Sequence, residues 1–106
     1  MPLHVLNTIA PAPGKKQRVQ GILQFLVNEM QRNEPDALQV QVLWDELKGV
    51  FHIVEVFADE NARNNHHNMP YTTQLRQAVQ EDQLFAGNME SRVVDGLVGF
   101  SRKQVS

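Results

Sequence analysis

Residues 51–71 read FHIVEVFADENARNNHHNMPY, and the fold turns on how this stretch is divided. Phe51, Ile53, Glu55 and Phe57 alternate with His52, Val54 and Val56. A period of two puts successive side chains on opposite faces of a strand, so Glu55 shares a face with three large apolar groups. Asp59 belongs to the residue types whose short side chain caps a helix, which predicts a short helix running to Asn68. Pro70 suits the first turn of a second helix, whose Tyr71, Leu75, Ala78 and Val79 fall on one face.

Working back from there, LQVQVLW at 38–44 also alternates, and the turn around Lys48-Gly49 joins it to FHIVEVF as an antiparallel hairpin. Val19, Ile22, Leu23, Leu26, Val27 and Met30 recur at helical spacing, which predicts an amphipathic helix over 13–32. Gly21 weakens that helix by roughly 1 kcal/mol relative to alanine, and such a glycine is expected to allow close approach to the sheet or to a ligand. The string NEP at 33–35 stops the helix, because a residue before proline avoids helical angles. Leu3–Ile9, short and followed by APAPG, reads as a first strand, and ESRVVDGLVGF at 90–100 as a fourth strand with a tail.

The order is β-α-β-β-α-β, an α+β chain of ferredoxin-like type with an antiparallel sheet and its helices on one face. The other face is expected to be apolar and has no cover within 106 residues. Two copies packed sheet to sheet would bury both faces, which predicts a homodimer closed into an α+β barrel. A chain of this length holds one core, so residues 1–106 are expected to form a single domain.

Composition excludes several classes. Net charge is −2 and the pI is near 6.0, so no general basic field points to nucleic acid, and Lys15, Lys16 and Arg18 read as a solvated helix start. No segment approaches the roughly 18 apolar residues of a membrane helix. The absence of cysteine removes disulfides, thiolate metal sites and a thiol nucleophile, and it fits a cytoplasmic chain. MPLHVLNTIA lacks the charged start and apolar core of a leader, so the mature chain is expected to begin here.

The chain resembles the antibiotic biosynthesis monooxygenase family, dimeric α+β barrels, over nearly its whole length in element order. The family pattern is a strand ending in an acid and an aromatic, then acid-x-x-Ala, a histidine, and a Pro-aromatic helix start. Here these are Glu55 and Phe57, Asp59 and Ala62, His66, and Pro70 with Tyr71. PGK at 13–15 matches as well, while Glu34-Pro35-Asp36 replaces the usual Glu-Pro-Gly and Arg63 stands where leucine is usual. The resemblance implies a fold and a pocket, in a family that includes cofactor-free oxygenases of phenols and quinols, isomerases, haem-degrading enzymes and members without known activity.

Glu55, among apolar neighbours, is expected to have a raised pKa unless a partner compensates; it is either a general base or a structural carboxylate. His66 can shuttle a proton near neutral pH or simply pack against its own sheet. His67 points about 100° away on a helix and is expected at the surface. The four histidines, His4, His52, His66 and His67, include no i, i+4 pair to share an ion, so no metal is expected. Asn7 shares a face with Val5 and Ile9, where a buried amide could orient a substrate oxygen or dioxygen. Haem-degrading members pair that asparagine with a tryptophan and a histidine, but those places hold His66 and roughly Arg76 here, so neither haem nor another cofactor is expected. Trp44, Tyr71 and Phe25 are expected walls of an aromatic pocket, or ordinary core.

Together with the resemblance, these residues imply a cofactor-independent monooxygenase of a small phenol, quinol or polyketide-like aromatic, with dioxygen as co-substrate. Glu55 or His66 would be the base and Asn7 the orienting group. An isomerase or tautomerase using the same acid–base pair, or a binding protein without chemistry, fits the same residues.

Overall fold

The computed structural model describes residues 2–102. Its elements run β1 (Leu3–Ile9), α1 (Lys16–Asn33), β2 (Ala37–Asp45), β3 (Val50–Phe57), α2 (Glu60–His67), α3 (Pro70–Glu81) and β4 (Glu90–Val94). The four strands lie in the order β2-β3-β1-β4, with every neighbouring pair antiparallel. This is the ferredoxin-like arrangement expected from the sequence, its second helical segment divided in two.

The division has a local cause. Asp59 caps α2, its carboxylate accepting from the Ala62 amide at 2.8 Å. Met69 precedes proline and holds an extended conformation, so the helix cannot run on into Pro70, which instead opens α3. Among the described residues no helix is long and apolar enough to cross a membrane.

Alternation dictates which side chains meet the helices. Val5, Asn7 and Ile9 of β1 and Phe51, Ile53, Glu55 and Phe57 of β3 are buried on the helix side. Cross-strand pairing of Ile9 with Phe51, Asn7 with Ile53 and Val5 with Glu55 then lays down a continuous surface. The buried apolar groups form two clusters, one around Ile9, Leu23, Ile53 and Leu84, the other around Val5, Met30, Phe57 and Ala62. Asn7 and Glu55 fall between the two clusters, as a polar interruption in the sheet surface.

Two expectations are corrected. Gly21 approaches nothing: it is exposed, and a Cβ placed there would meet no atom within 4 Å. Val19 and Leu23 face the core, and a residue midway between them on a helix lies on the far side. The sheet face away from the helices is not uniformly apolar. Register places Leu6, Val54, Val56 and Leu43 there, but also His4, Thr8, Gln39, Gln41 and His52. Three of its polar groups pair with one another: the His52 ring lies 3.2 Å from the Thr8 hydroxyl through Nδ1 and 3.1 Å from the Asp45 carboxylate through Nε2. Such pairing lets one face of an antiparallel sheet carry polar groups without orphaning them. The chain after β4 crosses the His4 ring at Gly96, where a Cβ would come within 2.9 Å of the imidazole. A larger residue there would have to displace the His4 ring.

Candidate functional site

Glu34 ends α1 and is only 4% exposed. An ionised carboxylate can be buried when its lone pairs find donors, and here there are two. The Tyr71 hydroxyl donates to Glu34 Oε2, and His66 Nδ1 lies 3.0 and 3.1 Å from the two carboxylate oxygens. Since a carboxylate only accepts, Nδ1 carries the proton that makes this bond and Nε2 faces the other way. Burial and the neighbouring Glu34 carboxylate push the Tyr71 hydroxyl well above the usual phenol range. That hydroxyl is committed to Glu34.

His66 is 5% exposed and sits one helical turn beyond Ala62, the two forming the buried side of α2. Alanine brings the helix close, so that the His66 ring tilts against Phe57 with centroids 5.6 Å apart. Its Nε2 lies 3.9 Å from Glu55 Oε2. That separation is too long for a hydrogen bond, but a ligand oxygen about 2.8 Å from each atom would close a triangle on it.

Glu55, 7% exposed, accepts from Asn7 Nδ2 at 2.5 Å. Burial raises its pKa; the charge of His66 and the hydrogen bond from Asn7 oppose the rise without cancelling it. Asn7 Oδ1 and the Thr72 hydroxyl of α3 are buried and have no hydrogen-bond partner among the described residues. Such orphans are rare in folded proteins because each costs a lost hydrogen bond to water. Both residues line one cavity.

That cavity, about 150 Å³, lies between the sheet, α1, α2 and α3. Its floor is Asn7, Glu55 and His66; its walls are mostly aliphatic, with Ile22, Leu26, Val42 and Val79 among them. Arg63, His67 and Arg76 complete the lining. The structure therefore brings Asn7, Glu55 and His66 together. Phe25, Trp44 and Tyr71 do not line this cavity. Phe25 is 46% exposed on α1. Trp44 packs at a tilt against Phe51, ring centroids 4.7 Å apart, under the Lys16 ammonium, in an open groove between α1 and β2 that adjoins the cavity along Val40 and Val42. Tyr71 stands behind His66, bound to Glu34.

His67, expected at the surface, is exposed but also borders the cavity, 5.5 Å from the His66 ring. Burial and then the charges of His66, Arg63 and Arg76 hold its pKa below the ordinary histidine value. The sequence marks Glu34 as a helix stop and as part of the Glu-Pro pattern of the family, but not as a site residue. A carboxylate directly before the proline that ends an amphipathic helix was the available signal. Among the described residues no three His, Asp or Glu side chains converge as metal ligands do.

A family model described as antibiotic biosynthesis monooxygenase matches residues 2–78, and the chain belongs to that family. Similar solved structures agree with the fold. A Mycobacterium tuberculosis protein, Rv0793, superposes with a TM-score of 0.84 at 19% identity, over 95% of this chain and 100% of its own. A Pseudomonas aeruginosa protein gives 0.77 at 26% identity, over 92% and 95% of the two chains. A candidate antibiotic biosynthesis monooxygenase from Caulobacter crescentus gives 0.83 at 21% identity, over 92% and 91%. No functionally curated protein matches the chain.

The site makes a signed stability prediction. A carboxylate whose pKa is raised by folding stabilises the protein below its unfolded pKa and loses that contribution as pH rises through the folded value. Glu55→Gln removes the ionisation while keeping the shape. At pH 7 it should melt higher than the wild type, and the difference should shrink as the pH falls toward 4. Paired thermal melts across that range check it; a lower melting temperature at pH 7 would make Glu55 a structural anchor.

Proposed function

We propose that this protein is a cofactor-free monooxygenase of a single-ring phenol or quinol, and that it works as a homodimer. The carrying observation is Asn7 Oδ1, a buried acceptor without a partner, next to Glu55 and His66 in a mostly apolar cavity. A phenolic hydroxyl donated to that oxygen would supply the missing bond in the resting complex, and rotation about its C–O bond would turn the same proton to His66 Nε2 for transfer. The volume favours one ring, since an engineered apolar cavity of about 150 Å³ holds benzene.

In this reading His66 Nε2 takes the hydroxyl proton, assisted by Glu34, which accepts from Nδ1 and stabilises the imidazolium that forms. The electron-rich ring carbon of the phenolate then bonds to dioxygen. His66 returns its proton to the outer oxygen of the resulting peroxide. His66, neutral again, takes the ring C–H proton as the O–O bond breaks, and the departing hydroxide receives that proton as water, leaving a carbonyl. A phenol and dioxygen thus become a quinone and water, the ring losing four electrons and dioxygen gaining four. Aliphatic walls keep solvent from the phenolate and the peroxide. Glu55, its pKa raised by burial, supplies a carboxyl on the opposite side of the ligand oxygen.

Two features support pairing with a second copy. Leu6, Val54 and Val56 are only half-buried at the centre of the open sheet face, and Leu97, Val98 and Phe100 of the tail are 86%, 99% and 84% exposed. Apolar surface on that scale marks interaction sites more often than free solvent. Sedimentation at micromolar concentration should give a dimer, and a stable monomer would contradict it.

The reaction is tested by oxygen consumption over a panel of single-ring phenols and hydroquinones. His66→Asn preserves a donor toward Glu34 but cannot take a proton, so folding should survive and turnover should fall about 100- to 10,000-fold. Oxygen consumption absent across the panel, or undiminished in His66→Asn, would reject the mechanism.

A further inference from the structure

Only one carboxylate, Glu55, lines the cavity among the described residues, and it lies on the floor. Toward solvent the lining is cationic. Arg63 of α2 is half-buried, and His67 and Arg76 are exposed, all three bordering the same opening from two different helices. Neither arginine has a carboxylate within 4 Å among the described residues, whereas Arg18 and Arg32 both pair with acids. Cationic side chains gathered without counterions repel one another, and the lowered pKa of His67 registers that repulsion beside its burial.

We propose that Arg63 and Arg76 form an anion-binding subsite at the mouth of the cavity, so that the ligand is a single-ring phenol carrying a carboxylate or comparable acidic group remote from its hydroxyl. This rests on the reading of the cavity as a phenol site and adds the second half of the ligand. The two ends fit one molecule. The hydroxyl meets Asn7 Oδ1 and His66 on the floor, the ring fills the aliphatic section, and the acid meets the guanidinium groups where the cavity opens. Guanidinium groups suit this task because their planar donors match a carboxylate in bidentate fashion and remain charged at any physiological pH. The unpartnered Thr72 hydroxyl, also in the lining, offers a further donor to the same ligand.

Calorimetric titration with 4-hydroxybenzoate and 4-hydroxybenzamide separates charge from shape, since the two probes share ring, hydroxyl and size. The acid should bind roughly tenfold more tightly than the amide, as expected for charge-assisted hydrogen bonds at a partly solvated site. Added salt should weaken the acid and spare the amide. In Arg63→Gln/Arg76→Gln the acid should fall to the affinity of the amide, whose own affinity should stay unchanged. Should the double variant fold poorly, Arg76→Gln alone, on an exposed helix position, should lose part of the preference. Equal affinity of the two probes for the wild type, a preference that survives the double variant, or no saturable binding of the acid at several millimolar would overturn the proposal. Arginine-dependent binding of the acid without oxygen consumption would remove the oxygenase reading and leave this subsite standing.

Discussion

The site depends on one carboxylate buried at the end of a helix. Glu34 accepts from Tyr71 and His66 at once, and without those donors its burial would be costly. The three residues come from the end of α1, the end of α2 and the start of α3. One set of hydrogen bonds thereby ties together the helical segments that cover the sheet. The same bonds fix the orientation of His66, turning Nε2 toward Glu55 and the cavity. What holds the helices in register also aims the one side chain best suited to move a proton.

The sheet contributes the other half by interrupting its own core. Asn7 and Glu55 replace apolar residues on adjacent strands, between two clusters that would otherwise merge. An interruption of this kind lowers stability unless its polar atoms are satisfied. Glu55 is satisfied in part by Asn7, while Asn7 Oδ1 finds no partner among the described residues. α3 presents no fully buried residue to the sheet, consistent with a cavity beneath it. Polar atoms left open beside an unfilled apolar space are what a site for an amphipathic ligand requires.

Much of the fold was legible because it rests on local signals. The alternation of Phe51, Ile53, Glu55 and Phe57, the Asp59 cap and the Pro70 start each act over a few residues. Asn7, Glu55 and His66 were legible as well, since period and family pattern place polar groups on buried faces. Glu34 was not legible, because its burial depends on Tyr71 arriving from 37 positions along the chain. Arg63 and Arg76 escaped for a similar reason: nothing local says that two arginines on separate helices border one opening. Trp44 and Phe25 were misleading in the other direction, since a large aromatic group carries no signal of whether it will border the cavity, another groove or solvent. The open sheet face was read as apolar where His4, Thr8 and His52 in fact interleave with aliphatic groups.

The central claim is that Glu34 holds His66 with its Nδ1 proton in place and its Nε2 atom free toward the cavity. Nitrogen-15 NMR of labelled imidazole side chains reads this directly, because protonated and unprotonated ring nitrogens resonate in separate regions. At pH 8, in the ligand-free protein, His66 should show a protonated Nδ1 and an unprotonated Nε2, and Glu34→Gln should disturb that preference. A His66 ring protonated on Nε2 with Nδ1 bare would contradict the account, since the nitrogen facing the cavity could then accept no proton.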